Sequence, residues 1–221
     1  MKYFSTFSLT IFVSVGLSAQ LFTLDNVPMT ETLGGKPSAC PVDQYKVINA
    51  ANSNANCVTF TTSAFQNGAV WSCNTLNLAQ SFNVSFEINF GANTNTGDGM
   101  AFLLQEEGVP LVIGGRAGGL GYALGDGQQC NSFPCPISPS LAVEFDTWDN
   151  TIDGINDIAC HHISLQSNGI MNAANALVPP ACMRLGGQAV IDGLNHSVCI
   201  AWDPALQLFT VFFDQELLEI Y

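Results

Sequence analysis

Apolar residues fall at every second position over long stretches of this chain. Phe82, Val84, Phe86, Ile88 and Phe90 alternate with Asn83, Ser85, Glu87 and Asn89, the pattern of a strand with one buried and one polar face. Leu141, Val143 and Phe145 alternate with Ala142, Glu144 and Asp146, and Val198, Ile200 and Trp202 repeat the pattern near the end. Met100 to Leu104 and Leu208 to Phe213 are more continuous apolar runs, which predicts strands buried on both faces. Turn residues separate these segments. Gly91 to Gly99 is rich in Asn, Thr and Gly, and Gly114-Gly115, Gly118-Gly119, Gly125 and Gly127 make a glycine-dense stretch. Gly186-Gly187 and Asp192-Gly193 mark further turns, and the small polar segment Asn49 to Asn56 reads as a loop. Helical periodicity is nearly absent, so the expectation is an all-β sandwich or barrel. With no repeat of solenoid period and no linker, one domain is expected over residues 20–221.

The first residues read differently. Lys2 precedes the apolar run Phe7 to Leu17, too short to span a bilayer, and small residues follow at Ser18-Ala19-Gln20. This predicts a signal peptide over residues 1–19, cleaved after Ala19 or Ser18, and an exported protein, secreted or at the cell surface. An uncleaved anchor or a buried first strand is the alternative. No later stretch is long and apolar enough for a membrane helix. The last residues, Leu217-Leu218-Glu219-Ile220-Tyr221, follow a strong strand without a polar tail, so the chain reads as cut off within its domain.

Composition narrows the function classes. Charged residues make up 10% and apolar ones 48% of the 221 residues, which excludes a disordered chain. Eighteen acids stand against five bases, a formal charge of −13. Beyond the leader the bases are Lys36, Lys46, Arg116 and Arg184. Such a surface repels phosphate backbones and anionic membranes, so nucleic acid is not an expected partner. Eight cysteines (40, 57, 73, 130, 135, 160, 182 and 199) lie outside the leader. In an exported chain disulfides are the expected state, with Cys130 and Cys135, which flank a short Pro-containing loop, as the best local pair. No CxxC pair occurs, so a structural zinc site is not expected.

The chemistry concentrates between Glu144 and His162. Glu144 and Asp146 are two apart on a strand and project from one face, while Val143 and Phe145 enter the core on the other. Asp149 to Asp157 forms an Asp/Asn/Gly loop beside them, and His162 joins the next alternating run with Ile163 and Leu165 facing the other way. Carboxylates this close repel one another unless neutralised, and a divalent cation does so most directly. Oxygen donors suit Ca²⁺, and two carboxylates with an imidazole suit a transition metal such as Mn²⁺. The loop is not an EF-hand, because counting from Asp149 places Thr151 at position three and Cys160 at position twelve. A solvated acidic loop is the competing reading, and the paired strand carboxylates with the following His tip the balance to metal. His161 is expected to face away, and His196 reads as a turn residue.

At these residues the chain resembles the L-type, legume-lectin-like lectins with a concanavalin-like jelly-roll β-sandwich, closest to secreted bacterial members. The resemblance rests on Val143-Glu144-Phe145-Asp146-Thr147-Trp148-Asp149-Asn150, on Asp157 five residues before His162-Ile163, on Asp98-Gly99-Met100-Ala101-Phe102, and on Gly118-Gly119-Leu120-Gly121. It covers roughly residues 20–221. It implies that Glu144, Asp146, Asp157 and His162 hold the transition metal. It likewise implies that Asp146, Asn150, Asp157 and the Trp148 backbone carbonyl hold Ca²⁺. It further implies a glycan site made by Asp98, a backbone N–H at Gly119, the Asn150 amide and the Trp148 ring, with Asp98 following a cis peptide. The chain departs from the pattern in four ways. Its glycine turn is one residue shorter, so that Gly118 and Gly119 are hard to separate. Asp149 and Asp153 are extra acids, and the eight cysteines are not a plant-lectin feature. The late strand with a Gly-Phe-Thr-Ala-x-Thr-Gly signature is missing.

The functional expectation is therefore a metal-dependent carbohydrate-binding domain, not an enzyme, exported as part of a larger cell-surface or adhesin protein. Two other classes compete. One is a structural cell-surface domain whose metals only staple loops. The other is a laminarinase-type glycoside hydrolase, which shares the jelly roll and places Glu-x-Asp-x-x-Glu on one strand, where this chain has Glu144, Asp146 and Asp149.

Overall fold

The computed structural model describes residues 6–15, 21–25, 45–49, 51–54, 57–94, 97–106, 112–124, 136–151, 157–184, 186 and 188–221. Their strands form two seven-stranded antiparallel sheets. The first runs from edge to edge as β11 (Ala181–Cys182), β10 (His162–Ser167), β9 (Ser140–Asp146), β8 (Asp98–Glu106), β1 (Thr6–Val15), β6 (Gln66–Asn77) and β3 (Tyr45–Asn49). The second runs as β14 (Glu216–Ile220), β13 (Leu208–Phe213), β12 (His196–Asp203), β7 (Phe82–Ile88), β2 (Leu21–Asp25), β5 (Cys57–Thr59) and β4 (Asn52–Asn54).

The period-two residues build the main core. Strand β7 alternates buried and exposed along its whole length, and its inward Phe86 stacks on Phe102 of β8 with ring centroids 6.0 Å apart. Val143 and Phe145 of β9 join the same core from the first sheet, and Val198 and Ile200 of β12 from the second. The first sheet carries a second apolar layer on its other face. Ala69, Trp71, Ala101, Leu103 and Ala142 pack there against Val112, Ile113, Leu120, Tyr122 and Ile137 of the covering loops. Strand β8 is consequently buried on both faces, as its unbroken apolar run predicts.

Leu208 to Phe213 corrects the parallel expectation. Strand β13 buries Phe209, Val211 and Phe213 and leaves Leu208, Thr210 and Phe212 half-buried. It lies in the second sheet, next to the edge strand, and only one of its faces meets the core. The segment read as a loop at 49–56 also contains a strand, β4, at the sheet edge. Backbone pairing to β5 holds it despite its polar side chains.

Most of the segment read as the apolar part of a leader, Phe7 to Leu17, lies in β1 (Thr6–Val15), a strand in the middle of the first sheet. It pairs with β6 on one side and β8 on the other. The cleavage residues Ser18 to Gln20, the Cys130/Cys135 pair and Asp153 lie outside the described residues. Cys160 and Cys182 form a disulfide that joins the approach to β10 with β11. Cys199 departs from the all-disulfide expectation. It is a free, half-buried thiol on β12 that donates to the Asn83 Oδ1 at 3.2 Å.

His196 is no turn residue. It opens β12, is 1% exposed, and stacks on Phe213 with centroids 5.2 Å apart. Its ring nitrogens lie 2.8 Å from Asp214 Oδ2 and 3.0 Å from the Val190 carbonyl.

Candidate functional site

Parity places the acids before any loop does. Val143 and Phe145 enter the main core, so Glu144 and Asp146 project from the opposite face of β9. The antiparallel register sets His162 of β10 against Asp146 and Ser164 against Glu144. Glu144, Asp146 and His162 are 5%, 8% and 2% exposed, and one donor atom from each lies within 4.8 Å of the others.

Burial dominates the electrostatics. It pushes the Glu144 carboxyl up to about 7, opposed by the Gln166 amide and reinforced by the charge of Asp157. Asp146 is raised well above the usual carboxylate range by burial and then by Glu144. His162 is lowered, again by burial, which favours the neutral imidazole. Among the described residues no lysine or arginine pairs with either buried carboxylate. Two carboxylates and an imidazole buried without a cation are costly to ionise alone and well matched to a divalent metal.

The histidine is prepared for that role. Its Nδ1–H donates to the Cys160 carbonyl at 3.0 Å, which leaves the Nε2 lone pair 3.5 Å from Asp157 Oδ1. A ligating histidine commonly donates its second nitrogen in this way. Gln166 Nε2 lies 3.3 Å from Glu144 Oε2 and 2.8 Å from Ser164 Oγ. Sequence reasoning missed Gln166 and Ser164. The same alternation that placed His162 would have found them, since all three share one face of β10.

The loop beyond β9 is tied to the cluster by backbone donors. The Trp148 N–H donates to Asp146 Oδ1 at 2.7 Å, and the Asn150 N–H to Asp157 Oδ2 at 2.8 Å. Asp157 also accepts the N–H of Ile158 at 2.7 Å. Asp149 is exposed, and its carboxylate accepts both the N–H and the hydroxyl of Thr151, which lowers its pKa. His161 turns away, as expected, and accepts the Val190 N–H at 3.1 Å.

Asp98 stands beside this centre. It opens β8 after a cis Gly97–Asp98 peptide. Its carbonyl accepts the Thr147 N–H at 2.8 Å and the Thr147 hydroxyl at 3.1 Å, and its charge adds to the rise of Asp146. Trp148 is 39% exposed and covers Gly97, where a Cβ would lie 2.7 Å from its Cε3. Gly119 is buried at the end of a 3-10 turn, Ala117–Gly119, and its N–H donates to the Arg116 carbonyl at 3.3 Å. Gly118 is half-buried. The structure thus brings Glu144, Asp146, Asp157 and His162 together, with Asp98 and Trp148 at their side.

Two antiparallel sheets with an acid–imidazole cluster at the end of one sheet define a β-sandwich with a candidate metal site. The legume lectin domain family matches residues 41–216, and the chain belongs to that family of concanavalin-like jelly rolls. The family is a carbohydrate-binding one.

Proposed function

We propose that this chain is a metal-dependent carbohydrate-binding domain. The observation that carries the reading is the double hydrogen bond from Thr147 to the Asp98 carbonyl. It fastens the candidate sugar-reading acid to the residue that follows the metal-facing strand, so that order at the cluster sets the position of Asp98. Glu144, Asp146, Asp157 and His162 would hold Mn²⁺ or a similar ion. Asp146, Asp157, Asn150 and the Trp148 carbonyl would hold Ca²⁺. The bound ions would supply charge neutralisation and fix the loop. Asp98 would accept sugar hydroxyls, the Asn150 amide would donate, and the Trp148 ring would cover an apolar sugar face. A backbone N–H of the glycine turn at Gly119 would complete the set, once released from the Arg116 carbonyl.

The same reading places the domain outside the cytoplasm, in a secreted or surface-attached adhesin. The Cys160–Cys182 disulfide supports it. A glycosidase reading is disfavoured by Asp149, which lies three residues past the end of β9 and is exposed, not paired across a cleft with Glu144.

The test is glycan-array binding with Ca²⁺ and Mn²⁺ present, after chelation, and with Asp98→Ala. Binding that is lost in both controls is the expected result. Metal-dependent thermal stabilisation with no glycan bound would instead identify a loop-stapled structural domain.

A further inference from the structure

A second feature lies at the same end of the first sheet and is unused by the site above. Phe65 is 83% exposed, and its backbone sits at φ 60°, a left-handed conformation that bulky residues rarely adopt. The turn presenting it is firmly built. Gln66 Oε1 accepts the N–H of Thr62 at 2.9 Å and of Ser63 at 3.2 Å. Arg116 Nη1 donates to the Phe65 carbonyl at 3.2 Å. An aromatic ring held in water on an unfavourable backbone has no return in folding energy, and such outliers gather where a ligand is met.

Its location is set by register. Gln66 pairs with Val15, and Val15 pairs with Asp98, so the Phe65 turn and Asp98 sit at one sheet end, two strands or about 10 Å apart. The glycine loop packs against the Phe65 turn. Arg116 immediately precedes the turn that contains Gly119, and Asn67 Nδ2 donates to the Gly114 carbonyl at 3.1 Å, which locks the loop to β6.

Arg116 is exposed and makes no ion pair among the described residues, whereas Arg184 lies 3.1 Å from Asp192 and 3.8 Å from Asp214. A guanidinium carries five donors, and among the described residues this one donates to the Phe65 carbonyl. In a chain of charge −13, a cation without an ion pair among the described residues, beside an exposed ring, is a local exception. Screening confines the repulsion of the remaining acids to roughly 8 Å at physiological salt.

We propose that Phe65 and Arg116 form a second subsite, flanking Asp98 on the β6 side, for a carboxylate-bearing sugar residue of a bound oligosaccharide. The ring packs on the C–H face of that residue, and the guanidinium takes its carboxylate through paired N–H donors. The inference rests on the carbohydrate reading above.

The test uses the full chain with Ca²⁺ and Mn²⁺ and paired probes: glucose- and mannose-terminated disaccharides, and the same disaccharides with C6 of one ring oxidised to a carboxylate. Calorimetry should show the oxidised member binding about tenfold more tightly, the worth of one charge-assisted contact. Arg116→Gln should bring that ratio to about one, Arg116→Lys should keep part of it, and Phe65→Ser should weaken both disaccharides against the monosaccharides. A ratio near one in the unaltered protein, or one that survives Arg116→Gln, overturns the subsite and leaves the primary site standing. A uniform loss in Arg116→Gln with the ratio intact also overturns it, because that outcome assigns Arg116 to loop structure. Absence of binding to every probe, with metals bound, removes the carbohydrate reading and this inference with it.

Discussion

The His162 imidazole donates its Nδ1–H to the carbonyl of Cys160, 3.0 Å away. Cys160 is itself tethered to Cys182, the residue paired with His162 across β10 and β11. The disulfide therefore orients a candidate metal ligand as well as closing a loop. The Cys160→Ser/Cys182→Ser variant should lose about 3 kcal/mol of stability in denaturant titration, from the 22-residue separation. Mn²⁺ affinity should fall by about 10- to 100-fold, as for other outer-shell changes. Unchanged affinity in calorimetry would detach the disulfide from the metal site.

Glu144 gives the metal-free protein a particular pH response. Its folded pKa of about 7 lies above the ordinary value of 4.5, so between these pH values the folded state binds more protons than the unfolded state. Stability contributed by this group is thus full below about pH 4.5 and is lost as pH rises through 7. Asp146 acts in the same direction, and His162, whose pKa is lowered, acts in the opposite one. Comparing Glu144→Gln with the unaltered chain isolates the first group. Without metal the variant should be more stable by on the order of 3 kcal/mol at pH 8, with little difference at pH 4.5. Metal should reverse the order at pH 8, because the deprotonated carboxylate is the ligand.

Gly97 sits where a side chain would strike Trp148. An added Cβ would lie 2.7 Å from the ring's Cε3 and 3.0 Å from the Trp148 Cβ. The Trp148 backbone is tied to Asp146, so the ring must move. Gly97→Ala should shift the emission attributed to Trp148 by difference from Trp148→Phe. It should weaken glycan binding about three- to tenfold, the scale of one aromatic contact. Emission that matches the unaltered protein would show that the ring has room to stay.

Tyr122 links the second core to the strand ends. Its hydroxyl accepts the Gly169 N–H at 2.6 Å and stands 3.3 Å from Ser140 Oγ. Burial pushes its pKa up to about 12, so it stays protonated throughout the working range. Tyr122→Phe should cost about 1–3 kcal/mol in chemical denaturation, because it strips a buried N–H of its acceptor. A change below a few tenths would mean that water replaces the hydroxyl.

Alternation made much of this molecule legible. It identified β7, β9 and β12, and it placed Glu144 and Asp146 on the face away from Val143 and Phe145. It could not distinguish Met100–Leu104 from Leu208–Phe213. Both are apolar runs, and the difference is a second layer laid over one sheet by loops far along the chain. Asn52–Asn54 escaped because pairing at an edge is made by backbone, which leaves no mark in side-chain pattern. His196 escaped because its partners, Asp214 and the Val190 carbonyl, are brought by separate turns. Phe65 and Arg116 carry no motif at all, since their neighbourhood is created by the folding of the glycine loop against β6.

Strand β1 has a consequence in time. The nearest residue it pairs with, measured along the chain, is Gln66 opposite Val15, and its other flank waits for Asp98 to Glu106. During synthesis Thr6–Val15 has no strand to join until those segments have followed. The centre of the first sheet is therefore closed late, by a segment made before every strand it pairs with.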